Sequence, residues 1–229
     1  MRTSIRTLTT VIFLFATCTA FGSGGGSMSG PDMGSQRSST ASPQEQARAL
    51  HNAGVRTVAK ADELDADAAR QSDAEKQAKL AEKSKNGYAG ALKKFTRATE
   101  LDPGMYEAWN YVGYTNRKLG NYDAALAAYD RALSLKPGYP EAIEYRGHAF
   151  LGLNRLSEAK EAYLTLYAGN RKLASQLLAA MQTWVGEHRG SAAGVDGAMV
   201  ESFASWVTER STIAGQTASL TREGASAGW

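Results

Sequence analysis

The chain has 229 residues, a formal net charge of +3 and a single cysteine. This length predicts one domain with terminal segments, and one cysteine excludes an internal disulfide framework. Basic and acidic residues are interleaved over most of the chain, so the charge does not indicate a nucleic-acid partner. Residues 76–97 are the exception, because the lysines and arginines there accompany only Glu82. A solvated helix face is the favoured interpretation, with an anionic partner or a membrane surface as the alternative.

Residues 1–20 are predicted to be a secretory signal peptide. Arg2 and Arg6 precede an apolar run at residues 11–16, and small residues follow it. A positive segment, a short apolar core and a small-residue cleavage site are typical of such signals. The core is too short to span a membrane. We therefore expect an exported protein of the bacterial periplasm or envelope, cleaved after Ala20 or Gly22.

Cys18 leaves two alternatives open. The sequence FATC at residues 15–18 loosely resembles the lipobox of bacterial lipoproteins, in which the cysteine is lipidated, although Phe15 and Thr17 depart from that pattern. The cysteine either leaves with the signal or anchors an outer-membrane lipoprotein, and an uncleaved signal would also tether the chain to a membrane. Residues 21–42 are rich in glycine and serine, which predicts a flexible tether in either case.

Residues 43–71 are predicted to form a charged helical arm. Ser42, Pro43 and Glu45 give a helix start with a cap, a first-turn proline and a first-turn acid. The helix-forming composition continues to about Lys85, as one long helix or two, partly exposed. Small residues recur every seven positions and make a poor coiled-coil seam: Ala47, Gly54, Ala61 and Ala68.

An internal repeat follows the arm. Residues 86–103 read NGYAGALKKFTRATELDP and residues 120–137 read GNYDAALAAYDRALSLKP, with matching positions 34 residues apart. A period of this length indicates a helical repeat array, in which each helix pair buries its apolar face against its neighbours. The sequence therefore predicts an all-α solenoid.

The clearest repeat begins with Trp109-x2-Val112-Gly113 and continues through Ala125 to Pro137. This resembles the tetratricopeptide repeat, a helix-turn-helix unit with the pattern W-x2-L-G-x2-Y, A-x3-F, P. The resemblance implies a repeat domain over residues 72–189, with about three units and a closing helix at 173–188. Its first unit would begin with a charged helix near residues 73–85. The repeat-structural positions are Trp109, Gly113, Ala125, Tyr129, Pro137, Gly147, Ala159 and Tyr163.

Residues 190–229 are predicted to hold a loop, a helix and a disordered tail. The helix, at about 198–210, carries Met199, Phe203 and Trp206 on one side. We expect it to fold back on the array, with an exposed partner-binding helix as the alternative. The composition of residues 211–229 favours disorder.

No catalytic or metal-binding motif is present in the sequence. His51, His148 and His188 are far apart, and there are no paired cysteines, nucleophile elbow or phosphate-binding loop. An active site needs a nucleophile, acid or metal held by partners, so we expect no enzymatic activity, no metal and no cofactor.

The resemblance implies that the first helix of each pair lines a concave groove that binds a protein or peptide. Lys76 and Lys83 are the candidates from the first unit. Asn110, Tyr114 and His148 are expected to be the most exposed, whereas Tyr111 and Tyr145 are equally consistent with packing between repeats. From the second and third units, the groove positions are Glu107, Asn110, Tyr111, Tyr114, Arg117, Glu141, Glu144, Tyr145 and His148.

Three acids at these groove positions give an expectation about the ligand. Glu107, Glu141 and Glu144 would repel a carboxylate, so a basic or neutral segment is the better electrostatic match. We expect a non-catalytic scaffold or assembly factor of the envelope. The alternatives are an accessory subunit of an envelope enzyme, a cell-wall-binding protein, and a structural protein that self-associates through residues 43–85. The oligomeric state is left open.

Overall fold

The computed structural model describes residues 41–190 and 195–226, which fold into eight α-helices without a β-strand. The all-α prediction is confirmed. The predicted signal peptide, Cys18 and residues 21–40 of the predicted tether lie outside these residues. No helix in the described ranges is long and apolar enough to cross a membrane. The helices are α1 (Pro43–Arg70), α2 (Ala74–Leu101), α3 (Tyr106–Lys118), α4 (Tyr122–Leu135), α5 (Pro140–Gly152), α6 (Leu156–Gly169), α7 (Arg171–His188) and α8 (Gly197–Ser226).

The helices pack in consecutive pairs, and each pair packs on the next. The odd-numbered helices α1, α3, α5 and α7 also contact one another in sequence, whereas the even-numbered helices form no comparable layer in the part of the chain that the structure describes. The odd-numbered helices are therefore the closer-spaced, inner layer. Inner layers of curved repeat arrays form their concave binding surfaces.

Small residues bring the paired helices together in the middle of the array. A Cβ atom on Gly113 would lie 2.4 Å from the Tyr129 ring of its paired helix, and one on Gly147 would lie 3.4 Å from Ala162 of its paired helix and 2.6 Å from Leu177 of the neighbouring inner helix. Ala125, Ala159 and Tyr163 are almost fully buried at the corresponding contacts. The indole nitrogen of Trp109 donates to the Pro103 carbonyl at 3.1 Å, and Pro137 lies in the exposed turn before α5.

The predicted arm is the first helix of the array. All four small residues of its seven-residue seam are buried, and Gly54 lies directly against the Phe95 ring of α2. The Ser84 hydroxyl donates to the Ala61 carbonyl at 3.0 Å. The seam is therefore covered by α2 of the same chain, and the prediction of a separate helix at residues 73–85 is wrong, because those residues are the first half of α2.

The C-terminal segment folds back as expected but extends further than predicted. Phe203 of α8 is buried and meets the Trp184 ring of α7 edge-on at 5.3 Å. Met199 is 41% exposed, so the buried face runs through Val200 and Val207 instead. The prediction of disorder is wrong for residues 211–226, which continue α8. The closing helix α7 thus has a partner, and the array contains four helix pairs.

Candidate functional site

Tyrosine rings form a continuous surface on the inner layer. The ring centroid of Tyr114 lies 6.2 Å from that of Tyr111 on the same helix and 5.0 Å from that of Tyr145 on α5. All three side chains are partly buried. Tyr111 stacks on Phe95 of α2 with 4.8 Å between ring centroids, so much of its surface serves packing between repeats. Tyr114 and Tyr145 are the part of this surface that joins α3 to α5.

A carboxylate from α1 fixes the orientation of two of the phenols. Asp62 accepts hydrogen bonds from the hydroxyls of Tyr88 at 2.5 Å and Tyr114 at 2.7 Å. Sequence reasoning missed Asp62, because α1 does not share the 34-residue phase that located the other candidates. Burial and this carboxylate hold the phenol pKa values of Tyr88 and Tyr114 well above the usual range. Burial also raises the pKa of Tyr145 to about 12.

We expect the folded state to lose stability as the pH rises above about 10. The buried phenols keep their protons above the pH at which they ionise in the unfolded chain, so alkaline conditions favour unfolding. The stability that the protonated phenols contribute is fully present below their pKa in the unfolded chain. It is lost as the pH rises from that value through their higher pKa values in the folded protein. Urea unfolding midpoints at about pH 8 and about pH 11 would measure the loss.

Asp62→Asn provides the control for this pH dependence. Burial is the larger cause of the raised pKa values of Tyr88 and Tyr114, so the loss between the two pH values should persist when the negative charge is removed. An unfolding midpoint that does not change with alkaline pH in the natural protein would contradict the expectation.

Arg117 lies at the end of the tyrosine surface. Its guanidinium carbon is 5.1 Å from the ring centroid of Tyr114 and 5.7 Å from that of Tyr145. Its Nε atom is buried and has no hydrogen-bond partner within residues 41–190 and 195–226. Burial raises the pKa of the Tyr129 phenol, and the nearby charge of Arg117 opposes that increase. Arg117 and Tyr122 together line two neighbouring pockets, of about 380 Å³ and about 320 Å³.

Two predicted groove residues are buried instead of exposed. Asn110 is 2% exposed, so the expectation that it is accessible is wrong, and its Oδ1 atom has no hydrogen-bond partner among the described residues. Glu144 is 4% exposed, and its carboxylate lies 2.7 Å from Nε2 of His148. His148 keeps 25% of its side-chain surface exposed. Glu144 is therefore paired within the fold and does not present its charge to a ligand.

Glu107 and Glu141 lie at the opposite end of the inner helices. The pKa of the Tyr139 phenol is raised mainly by burial, and the charges of Glu141 and Glu107 raise it further. Lys136 lies beside Tyr139, with its ammonium 5.0 Å from the centroid of that ring. The same ammonium donates a hydrogen bond to the Tyr106 hydroxyl at 2.8 Å. These acids are in the first turns of α3 and α5. Ten residues of helix separate Glu107 from Arg117, which is about 15 Å.

The candidates from the first unit are not on the inner layer. Lys76 and Lys83 are exposed in the first half of α2, an outer helix. Lys76 lies 3.9 Å from Asp73, which caps that helix. The prediction that these lysines line the groove is therefore wrong, because α1 and not residues 73–85 supplies the inner helix of the first pair.

Comparison with known families identifies a repeat family. Residues 75–140 match the family described as tetratricopeptide repeat, a segment that holds nearly all of α2 and the whole of α3 and α4. No curated protein gives a significant match to the chain.

Proposed function

We propose a function from the premise that this chain is a tetratricopeptide-repeat protein. Repeats of this family generally mediate interactions between proteins. The proposed function is that of a non-catalytic scaffold or assembly factor that binds a peptide or a partner helix on its concave surface. The supporting observation is the inner-layer surface of Tyr114, Tyr145 and Arg117, since tyrosine and arginine favour protein contacts.

We further propose that the protein acts in a bacterial cell envelope. The support comes from the sequence, where Arg2 and Arg6 precede the apolar run at residues 11–16 in the arrangement of a secretory signal. Cys18 is either removed with this signal or lipidated, and in the second case residues 21–42 would connect the repeats to the membrane. An envelope scaffold would then hold its partner at the membrane surface.

Site-specific photocrosslinking in cells tests the binding surface. A photoreactive residue would replace His148 or Glu141 on the inner helix α5, and in matched variants Arg131 or Leu164 on the outer helices α4 and α6. The expected result is a specific crosslinked protein from the inner positions and none from the outer positions. Crosslinking from the outer positions alone would show that the concave surface is not the binding site.

The same purified protein tests the proposed location through its N-terminus. Mass spectrometry is expected to find a chain that begins after Ala20 or Gly22, or an acylated chain that begins at Cys18. A mature protein that retains Met1 and fractionates with the cytoplasm would contradict the envelope role while leaving the crosslinking result intact.

A further inference from the structure

We propose that Arg117 binds an acidic side chain of the partner, so that the ligand is an acidic peptide segment. This inference rests on the proposed function and specifies the chemistry of the same surface. It differs from the electrostatic expectation drawn from the sequence, which treated Glu107, Glu141 and Glu144 as one acidic groove. The structure separates those acids from Arg117 or pairs them within the fold.

Arg117 is a partly buried cation without a counterion in the described part of the chain. It forms no ion pair there, and its Nε atom is buried without a partner. Two carboxylates lie in its surroundings, but Asp62 accepts from two tyrosine hydroxyls and Glu144 is paired with His148. A partly desolvated guanidinium without a counterion is unfavourable. A ligand carboxylate would remove that cost.

The larger pocket beside Arg117 has the charge and the space for such a group. It measures about 380 Å³, and its cations are Lys85, Arg117 and Lys118. Asp65 is the acid in its lining and already forms an ion pair with Lys118. Lys85 is exposed and forms no ion pair with any residue in the described ranges. The pocket therefore has an excess of positive charge, and a guanidinium can bind a carboxylate through two parallel hydrogen bonds.

The smaller pocket on the other side of Arg117 is less suited to an anion. It measures about 320 Å³ and is lined by His148 and Trp184, but also by the carboxylate of Glu187. Glu107 is too distant to neutralise the larger pocket, because its separation of about 15 Å from Arg117 exceeds the screening length of about 8 Å at physiological ionic strength. The larger pocket is thus the place where an acidic side chain reaches Arg117.

Peptide selection on the full-length protein tests this inference. Random peptides are displayed with their C-termini fused to a phage coat protein, so that only side chains can supply carboxylates. Peptides selected by the natural protein are expected to be enriched in aspartate or glutamate. For a selected peptide, Arg117→Gln should weaken binding by about tenfold or more, whereas Arg131→Gln, a change at an exposed arginine of α4, should change it by less than about twofold.

The peptide provides a second test that does not depend on how the Arg117 variant folds. Replacing its acidic residue with glutamine should weaken binding to the natural protein by a similar factor, and should have little effect on binding to Arg117→Gln. Selected peptides without acidic enrichment, or with equal affinity for the natural protein and Arg117→Gln, would overturn the inference while peptide binding stood. Failure to select any peptide would overturn this inference and would also contradict peptide binding on the concave surface.

Discussion

Replacing Phe95 with alanine is expected to lower the free energy of unfolding by about 3–5 kcal/mol. The Phe95 side chain is fully buried, and its ring lies against Gly54 of α1 and stacks on Tyr111 of α3. One side chain therefore joins the first three helices. Its removal leaves a cavity that three packed helices cannot easily close. Urea unfolding followed by far-ultraviolet circular dichroism would measure the change.

Leu164→Ala is the control for this prediction. Leu164 is 47% exposed on the outer helix α6, so truncation there should cost less than about 1 kcal/mol. If Phe95→Ala were no more destabilising than Leu164→Ala, α1 would not be an integral part of the array. Residues 43–71 would then behave as the separate arm that the sequence predicted.

The 34-residue phase was sufficient to predict the middle of the array. It assigned Gly113 and Tyr129 to the contact between the helices of one pair, and the structure places them within a few ångströms of each other. It also identified the end of α4 through Pro137, which follows Leu135 by two residues, and the packing position of Gly147 within α5. These positions are predictable because packing within a helix pair depends on residues close in sequence, and each unit repeats the same contacts.

The role of α1 could not be predicted in this way. Apart from Val58, its buried stripe consists of Ala47, Gly54, Ala61 and Ala68, which carry little apolar surface and therefore give a weak hydrophobic signal. Small residues nevertheless permit a close approach between helices, and the pairing with α2 depends on that approach. Because α1 was not assigned to the inner layer, Asp62 was missed as a partner of Tyr114.

The burial of Asn110 and Glu144 was missed for a related reason. The phase of a helix gives the direction in which its side chains point, and both residues do lie on inner helices. Their accessibility depends on how closely the neighbouring inner helices approach, which no period within one helix contains. The same limit applies to charge. Whether Glu144 repels a ligand depends on its contact with His148, which only the structure shows.

The same substitution at two helical glycines is expected to have opposite effects on stability. Alanine favours a helix over glycine by up to about 1 kcal/mol. At Gly90 of α2, an added Cβ atom has nothing within 4 Å, so Gly90→Ala should stabilise the protein by about 0.5–1 kcal/mol. At Gly113 of α3, the same atom would lie 2.4 Å from the Tyr129 ring. Overpacking of this kind costs about 1–3 kcal/mol, which exceeds the gain in helix propensity.

Urea unfolding of both variants would measure this difference, and a second change would identify its cause. Tyr129 is fully buried, so its ring cannot move into solvent to make room for the added methyl group. If the clash is responsible, Gly113→Ala should be less destabilising in a Tyr129→Leu background than in the natural protein, because the two residues then couple. Stabilisation by Gly113→Ala in the natural protein would mean that α3 and α4 pack more loosely than the structure has them. The concave surface would then lack the rigid inner layer on which Tyr114, Tyr145 and Arg117 are positioned.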